Sequence, residues 1–404
     1  MSHIPQSYIY RLVAFLPYSL FLSHTTTYSQ HPTLLAITPA ETTELMDAYR
    51  NESIRCLIEV LNRAKAKKTF AELREEVMTG EEVDGDSVLM IGIDTETWLR
   101  PLANVTDEVT DNGYFGSPLF QFKQTMAEIL EDLTRASVAF FESEGLKVGF
   151  LFMVESPTSL FGLDSNVSAA KLAAPPPLFL DFEEHTPLAV SYRAVLRNLI
   201  CNFDPPQAVR VDLNGISLTA KCWAPQFSVQ VAPHVGAAEL ARLSRSGDIH
   251  AIMGTDFSVL LYGASHFIVT PQDRPFAASL RSELDTFSAE QIMAHQGVAL
   301  SRPGLVLTVM LSGILSSPLR LFTPQIALEI GRISHVAETL EKIIVDHGAD
   351  AAETLLMYWR FNLRRLITCD PARCFGGPNT LRADSISEDS PDMDYIRFYL
   401  APPS

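Results

Sequence analysis

The stretch Ile252-Met253-Gly254-Thr255-Asp256-Phe257-Ser258-Val259-Leu260-Leu261-Tyr262-Gly263-Ala264-Ser265-His266-Phe267-Ile268-Val269-Thr270-Pro271-Gln272-Asp273-Arg274-Pro275-Phe276-Ala277-Ala278-Ser279-Leu280 decides the reading of the fold. Val259 to Tyr262 is an apolar run too short for an ordinary helix and stopped by Gly263, which predicts a strand. His266 to Val269, rich in β-branched and aromatic side chains, predicts a second strand. Thr270-Pro271-Gln272-Asp273 has turn chemistry, because Pro271 presets φ at the first corner. Phe276 to Leu280 leaves that turn as an apolar segment.

Working outward, Val209 to Ile216 alternates with period two and carries Asn214-Gly215, the signature of a half-buried strand and a hairpin turn. Phe227 to Val231 supplies another strand. Nearer the start, Tyr8 to Phe15, Ser19 to Leu22 and Thr33 to Ile37 read as strands. Ile54, Leu57, Ile58 and Leu61 share one face of a helix opened by Thr42 or Thr43, and Phe70 to Met78 predicts a second, shorter helix. Val88 to Ile93 and Val148 to Val154 are buried strands, with Asp94-Thr95-Glu96 as a turn. Between them Gln121 to Glu142 predicts a long amphipathic helix. Ser156 to Pro177, with Pro175-Pro176-Pro177, reads as a stiff linker. Val306 to Leu315 fits a strand or a helix. Thr323-Pro324 starts a helix that continues through Ile344, and Asp350 opens another through Leu366.

With 404 residues, 47% of them hydrophobic, the chain can bury two ordinary cores. The net charge of −17 argues against direct nucleic-acid contact, since phosphate binding needs clustered Lys and Arg. Five scattered cysteines fit a reducing compartment, and no Cys or His spacing marks a metal site. No apolar run is long enough to cross a membrane. Asp212 and Asp256 are the carboxylates nearest the strands described above, and a turn or capping role is expected of each.

The order of a strand ending Phe267-Ile268-Val269, a Thr270-Pro271-Gln272-Asp273-Arg274 turn and an apolar Ala277 to Leu280 segment resembles the late hairpin of the dUTPase family. Ile252 to Phe257 falls where that family carries its base-bearing aspartate motif, with Gly254 at the position of the base and Phe257 at that of the sugar-stacking tyrosine. The resemblance implies an α+β, β-rich fold of two dUTPase-like β units with added helices and a flexible acidic C-terminal tail. Its expected parts are a first unit over residues 1–155, a linker over 156–177, a second unit over 178–300, a helical appendage over 301–369 and the tail over 370–404. Without a carboxylate at Gly254 the implied protein takes no proton from water, so no enzymatic activity and no cofactor is expected.

The tail carries Glu388, Asp389, Asp392, Met393, Asp394 and Tyr395, a flexible thioether framed by carboxylates. This is similar to the short motif by which viral proteins occupy the RNA groove of a host WD-repeat mRNA-export factor bound to its nucleoporin. Taken together, the resemblances imply a gammaherpesvirus dUTPase-related regulator that blocks host mRNA export through those six residues. Interferon suppression is an implied second activity, and the host nucleus, nuclear envelope and cytoplasm are the implied locations. The alternative is a dUTPase-related tegument or transcription-factor-binding regulator.

Overall fold

The computed structural model describes residues 53–78, 87–95, 118–155, 208–213, 216–221, 227–232, 235–270, 283–312, 322–345, 349–370, 386 and 399–400. Two of its strands, β2 (Val88–Asp94) and β3 (Lys147–Glu155), are apolar at nearly every position. A strand of that kind must be covered on both faces, which is the habit of parallel sheets clad in helices. The chain follows that rule. β2 pairs in parallel with β3 from Val88↔Lys147 to Asp94↔Met153, and with β7 (Ala251–Gly254) from Ile91↔Ala251 to Ile93↔Met253. β6 (Phe227–Ala232) joins β3 in parallel, and β8 (His266–Val269) joins β7 in parallel. β9 (Leu284–Ser288) runs antiparallel to β8, and β1 (Ala66–Lys68) antiparallel to β9. The order is β1-β9-β8-β7-β2-β3-β6, and β4 (Ala208–Leu213) and β5 (Ile216–Lys221) form a separate hairpin.

Alternation along β2 sends Leu89, Ile91 and Ile93 to one side. There they meet Val148, Phe150 and Phe152 of β3, together with Phe70 and Leu73 of α2 (Phe70–Val77) and Leu130, Leu133 and Ala136 of α3 (Pro118–Glu144). Thr69 caps α2 in a reciprocal box with Glu72, the side chain of each meeting the other's backbone N–H. Phe227 extends this layer by stacking on Phe150 and Phe152, at ring distances of 5.7 and 5.9 Å.

The opposite side of β2 faces α4 (Gly236–Ser246). A Cβ at Gly92 would stand 2.5 Å from Ile249 Cδ1 and 2.6 Å from Leu240 Cδ2, so the absent side chain sets how closely α4 lies on the sheet. Beyond α4 the larger core gathers α1 (residues 53–61), α5 (Ser258–Leu261), α6 (Ala289–Ala294), α7 (Arg302–Leu311), α8 (Pro324–Gly331), α9 (Ser334–Val345) and α10 (Ala349–Cys369). Two of these helices touch backbone to backbone. A Cβ on Gly331 would lie 2.1 Å from Thr308 Oγ1 and 2.6 Å from Gly304 O. The buried Trp359 of α10 donates its indole N–H to Val336 O at 2.8 Å.

The α+β class stands, but the two dUTPase-like β units do not. A single seven-stranded mixed sheet takes strands from both sides of residues 156–177, because β3 pairs with β6. Gly254, expected at the position of a lost catalytic base, is the last residue of the central parallel strand β7. Val259 to Tyr262, expected as a strand, falls largely in the short helix α5. The helix expected to run from Pro324 through Ile344 breaks after Gly331, where close contact with α7 ends α8 and Ser334 begins α9. Val306 to Leu315, open between strand and helix, lies in α7 as far as Leu311, with the Ser301 hydroxyl accepting from Gly304 N at its start. The expected turn over residues 271–273 lies outside the described residues.

Gly331→Ala is expected to lower the unfolding free energy by about 1–3 kcal/mol, the usual cost of forcing volume into a closed contact. Urea denaturation checks this, and an unchanged midpoint would show that α7 and α8 have room to spare.

Candidate functional site

The chain lays down β2, β3 and β6 outward in one direction, then returns to place β7 on the other side of β2. In open parallel sheets the crevice beyond the carboxyl ends of the strands, at such a reversal, is where ligands lodge. Here that edge of the sheet carries Asp94 and Thr95 at the end of β2 and Thr255 and Asp256 just past β7. Asp94 is only 4% exposed and Asp256 only 3%. Thr95 ties the end of β2 to β3: its backbone N–H and its hydroxyl both donate to Met153 O, at 3.3 and 2.5 Å. β3 ends on Glu155 at the same edge of the sheet.

Asp256 has a local task. Its Oδ1 accepts from Ser258 N at 2.8 Å and its Oδ2 from Ser258 Oγ at 2.6 Å. This turns the chain straight from β7 into α5. The turn-forming role expected of Asp256 is the one these bonds show, while Asp212 stands on β4 opposite Ser217, in the separate hairpin. The neighbouring Phe257 is a core residue, edge-on to Phe267 and Phe287 at ring distances of 5.4 and 5.3 Å.

α4 starts four residues after β6 ends, so its N-terminus opens at the same edge of the sheet. In its first turn Glu239, 7% exposed, accepts from Arg242 Nε at 2.9 Å and Nη2 at 2.8 Å, and from Gln230 Nε2 of β6 at 3.2 Å. The bond to Glu239 holds the Arg242 guanidinium above its ordinary pKa. The Gln230 bond ties the start of α4 to β6. Among the described residues no group of three or more His, Cys, Asp or Glu side chains is placed to hold a metal ion. The described donors therefore do not make up a metal centre. The histidines of the central sheet serve the fold: His250 Nδ1 accepts from Met90 N at 2.9 Å, and His266 lies 3.7 Å from Glu76 with its pKa lowered, chiefly by burial.

Of the tail expected over residues 370–404, only Asp370, Ile386, Tyr399 and Leu400 are among the described residues. Ile386, Tyr399 and Leu400 are buried in the larger core. Arg364 donates to Ile386 O through Nε, at 3.2 Å, and through Nη2. Tyr399 stacks on Tyr262 at 5.4 Å. Arg302 donates from Nη2 to Tyr399 O at 2.7 Å and to Leu400 O at 2.9 Å, and from Nε to Leu261 O at 3.1 Å. Burial, helped by the nearby charge of Arg245, pushes the Arg302 pKa down to about 10, so it remains a cation at neutral pH. Glu388, Asp389, Asp392, Met393, Asp394 and Tyr395 lie outside the described residues.

Neither a known family model nor any curated protein matches the sequence. Solved structures of similar course are junction-resolving enzymes. A eukaryotic junction-resolving enzyme GEN-1 with cesium aligns at 16% identity and a TM-score of 0.48, covering 84% of this chain and 62% of that one. Human GEN1 with Holliday junction DNA aligns at 14% identity and 0.43, over 86% of this chain and 66% of that one. The catalytic core of Rad2 with a DNA substrate aligns at 11% identity and 0.42, over 85% and 84%. This chain thus spans about three-fifths of the length of the first of these. At such scores the likeness transfers no activity.

The parallel sheet corrects the dUTPase-related reading. The argument for a non-enzyme required Gly254 to sit in a dUTPase pocket, and it ends a parallel strand instead. The export-blocking regulator, and with it the tegument or transcription-factor alternative, loses the viral dUTPase-like body on which it rested. Binding to the WD-repeat factor, its nucleoporin or interferon-pathway proteins goes with it. The expected lack of nucleic-acid contact rested on net charge alone, which does not report how the charge is distributed over the surface, and it is withdrawn. Among the described residues no helix is long and apolar enough to cross a membrane.

Asp256→Ala is expected to cost about 1.5–3 kcal/mol, the worth of buried hydrogen bonds to a charged group. Thermal unfolding should show Asp256→Asn, which keeps one acceptor, losing less. Arg302→Met leaves the Tyr399 and Leu400 carbonyls without their donor. It is expected to speed hydrogen exchange at the amides of Tyr399 and Leu400, read by mass spectrometry, while an unchanged exchange rate would show that stacking on Tyr262 alone holds them.

Proposed function

We propose that the crevice at the carboxyl ends of β2 and β7 takes a phosphate-bearing ligand, and that the chain hydrolyses a phosphodiester there. The reversal of strand order beside β2, with Asp94 buried at its lip, is the observation that carries this reading. The N-terminus of α4 supports it, since the positive end of an eleven-residue helix at the same edge favours an anion. Glu239 does not oppose that charge, because its carboxylate is already neutralised by Arg242. On this reading Asp94 accepts the proton of the attacking water, and Asp256 acts only through the turn it holds. No step is assigned to a metal ion, because the described donors do not make a centre for one.

Holliday junction DNA, which a GEN1 structure holds, is the first ligand to try. Fluorescence anisotropy would measure binding and a denaturing gel would measure cleavage, each with and without magnesium. Binding and cleavage are expected, with Asp94→Asn keeping the binding and losing about 10²–10⁴-fold in cleavage rate. Cleavage equal in Asp94→Asn and the parent would remove Asp94 from the reaction. Absence of binding by either protein would remove the ligand class.

A further inference from the structure

α10 has two apolar edges, and the fold uses one. Ala352, Leu356, Trp359, Leu363 and Ile367 recur at helical spacing and are buried against α9 and the larger core. On the other side Met357, Tyr358 and Phe361 are 57%, 60% and 61% exposed. With Met293 elsewhere they are the large apolar side chains left most open among the described residues, and these three adjoin one another one turn apart. An acidic residue stands a turn before them and a basic one a turn after. Glu353 keeps 61% of its side chain exposed although it also pairs with Arg360 at 3.0 Å, and Arg365 is exposed.

We propose that this edge of α10 is a docking surface for a second copy of the chain, through a two-fold, antiparallel pairing of the two α10 helices. Self-complementarity is the argument. An antiparallel helix pair centred between Trp359 and Arg360 sets Tyr358 of one copy against Phe361 of the other. The same register brings Met357 opposite Asn362, and Glu353 within reach of Arg365. Each ion pair occurs twice, as an isologous interface requires. A parallel pairing in register would set Glu353 on Glu353 and Arg365 on Arg365. A different partner would need its own acid and base at matching separation, which the second copy supplies without further assumption. The helix dipoles also oppose each other in the antiparallel arrangement.

The patch is one helix edge, smaller than the roughly 800 Å² per partner of a standard interface. The pairing is therefore expected to be weak, with a Kd on the order of 10–100 μM. Sedimentation velocity of the full chain over a concentration range spanning that value tests it. The expected result is a shift from 44.7 kDa toward twice that mass as concentration rises. A Tyr358→Ser, Phe361→Ser double variant should stay monomeric throughout. Arg365→Glu, which turns two attractive pairs into two repulsive ones, should weaken association about 10-fold or more. All three changes lie on the exposed edge, and an unchanged thermal melt at low concentration confirms that the fold is kept. A parent chain that remains monomeric across the range overturns the proposal. So does a dimer of equal strength in the variants, which would place the contact on another surface.

Discussion

A strand that is apolar on both faces cannot tolerate water on either, and β2 is such a strand at the centre of this molecule. Leu89, Ile91 and Ile93 require the layer of α2 and α3, and the face carrying Gly92 requires α4. Each layer in turn fixes a further part of the chain. α4 can lie close only because residue 92 has no side chain to hold it off. The end of β2 is held to β3 through Thr95, which places Asp94 where the strand order turns back. The reversal of strand order beside β2 thus follows from two-sided burial, since the sheet carries helices on both faces.

The same edge is braced from α4's side of the sheet by charges that are spent internally. Glu239 is satisfied by Arg242 and Gln230, and Asp256 by Ser258. Arg302 and Arg245 donate to the carbonyls of Leu261 and Tyr262, at the end of the helix that Asp256 initiates. A short line of contacts therefore runs from the crevice through α5 to the buried residues 399–400. Buried cations of this sort contribute position more than net stability, because desolvation takes back much of what the bonds supply.

Much of the local structure was legible in the sequence. The paired strands flanking the long helix, Val88 to Ile93 and Val148 to Val154, read correctly because short apolar runs bounded by polar residues fit buried strands. Asn214-Gly215 gave the hairpin, whose Leu213↔Ile216 pairing leaves two residues for the turn. Val259 to Tyr262 misled because four apolar residues have no period to read; the decision lay in Asp256 and Ser258, whose side-chain bonds start a helical turn. The family resemblance failed for a related reason. A strand, a turn and a strand are local, and nothing in Ile252 to Val269 records that its partner is β2, some 160 residues earlier, running parallel. The burial of Ile386 and Tyr399 was hidden by distance: their receptors, Arg364 and Arg302, lie 22 and 97 residues back in the chain.

The Arg302 contacts also bear on how the protein comes into being. The carbonyls that satisfy this guanidinium lie 97 and 98 residues downstream of it. At ribosomal speeds of about 5–20 residues per second, α7 waits several seconds for them. Throughout that interval the nascent helical layer holds a cation short of partners beside an unfilled seat for Tyr399. Chaperone recognition during translation, rather than any property of the finished molecule, is where that delay would be felt.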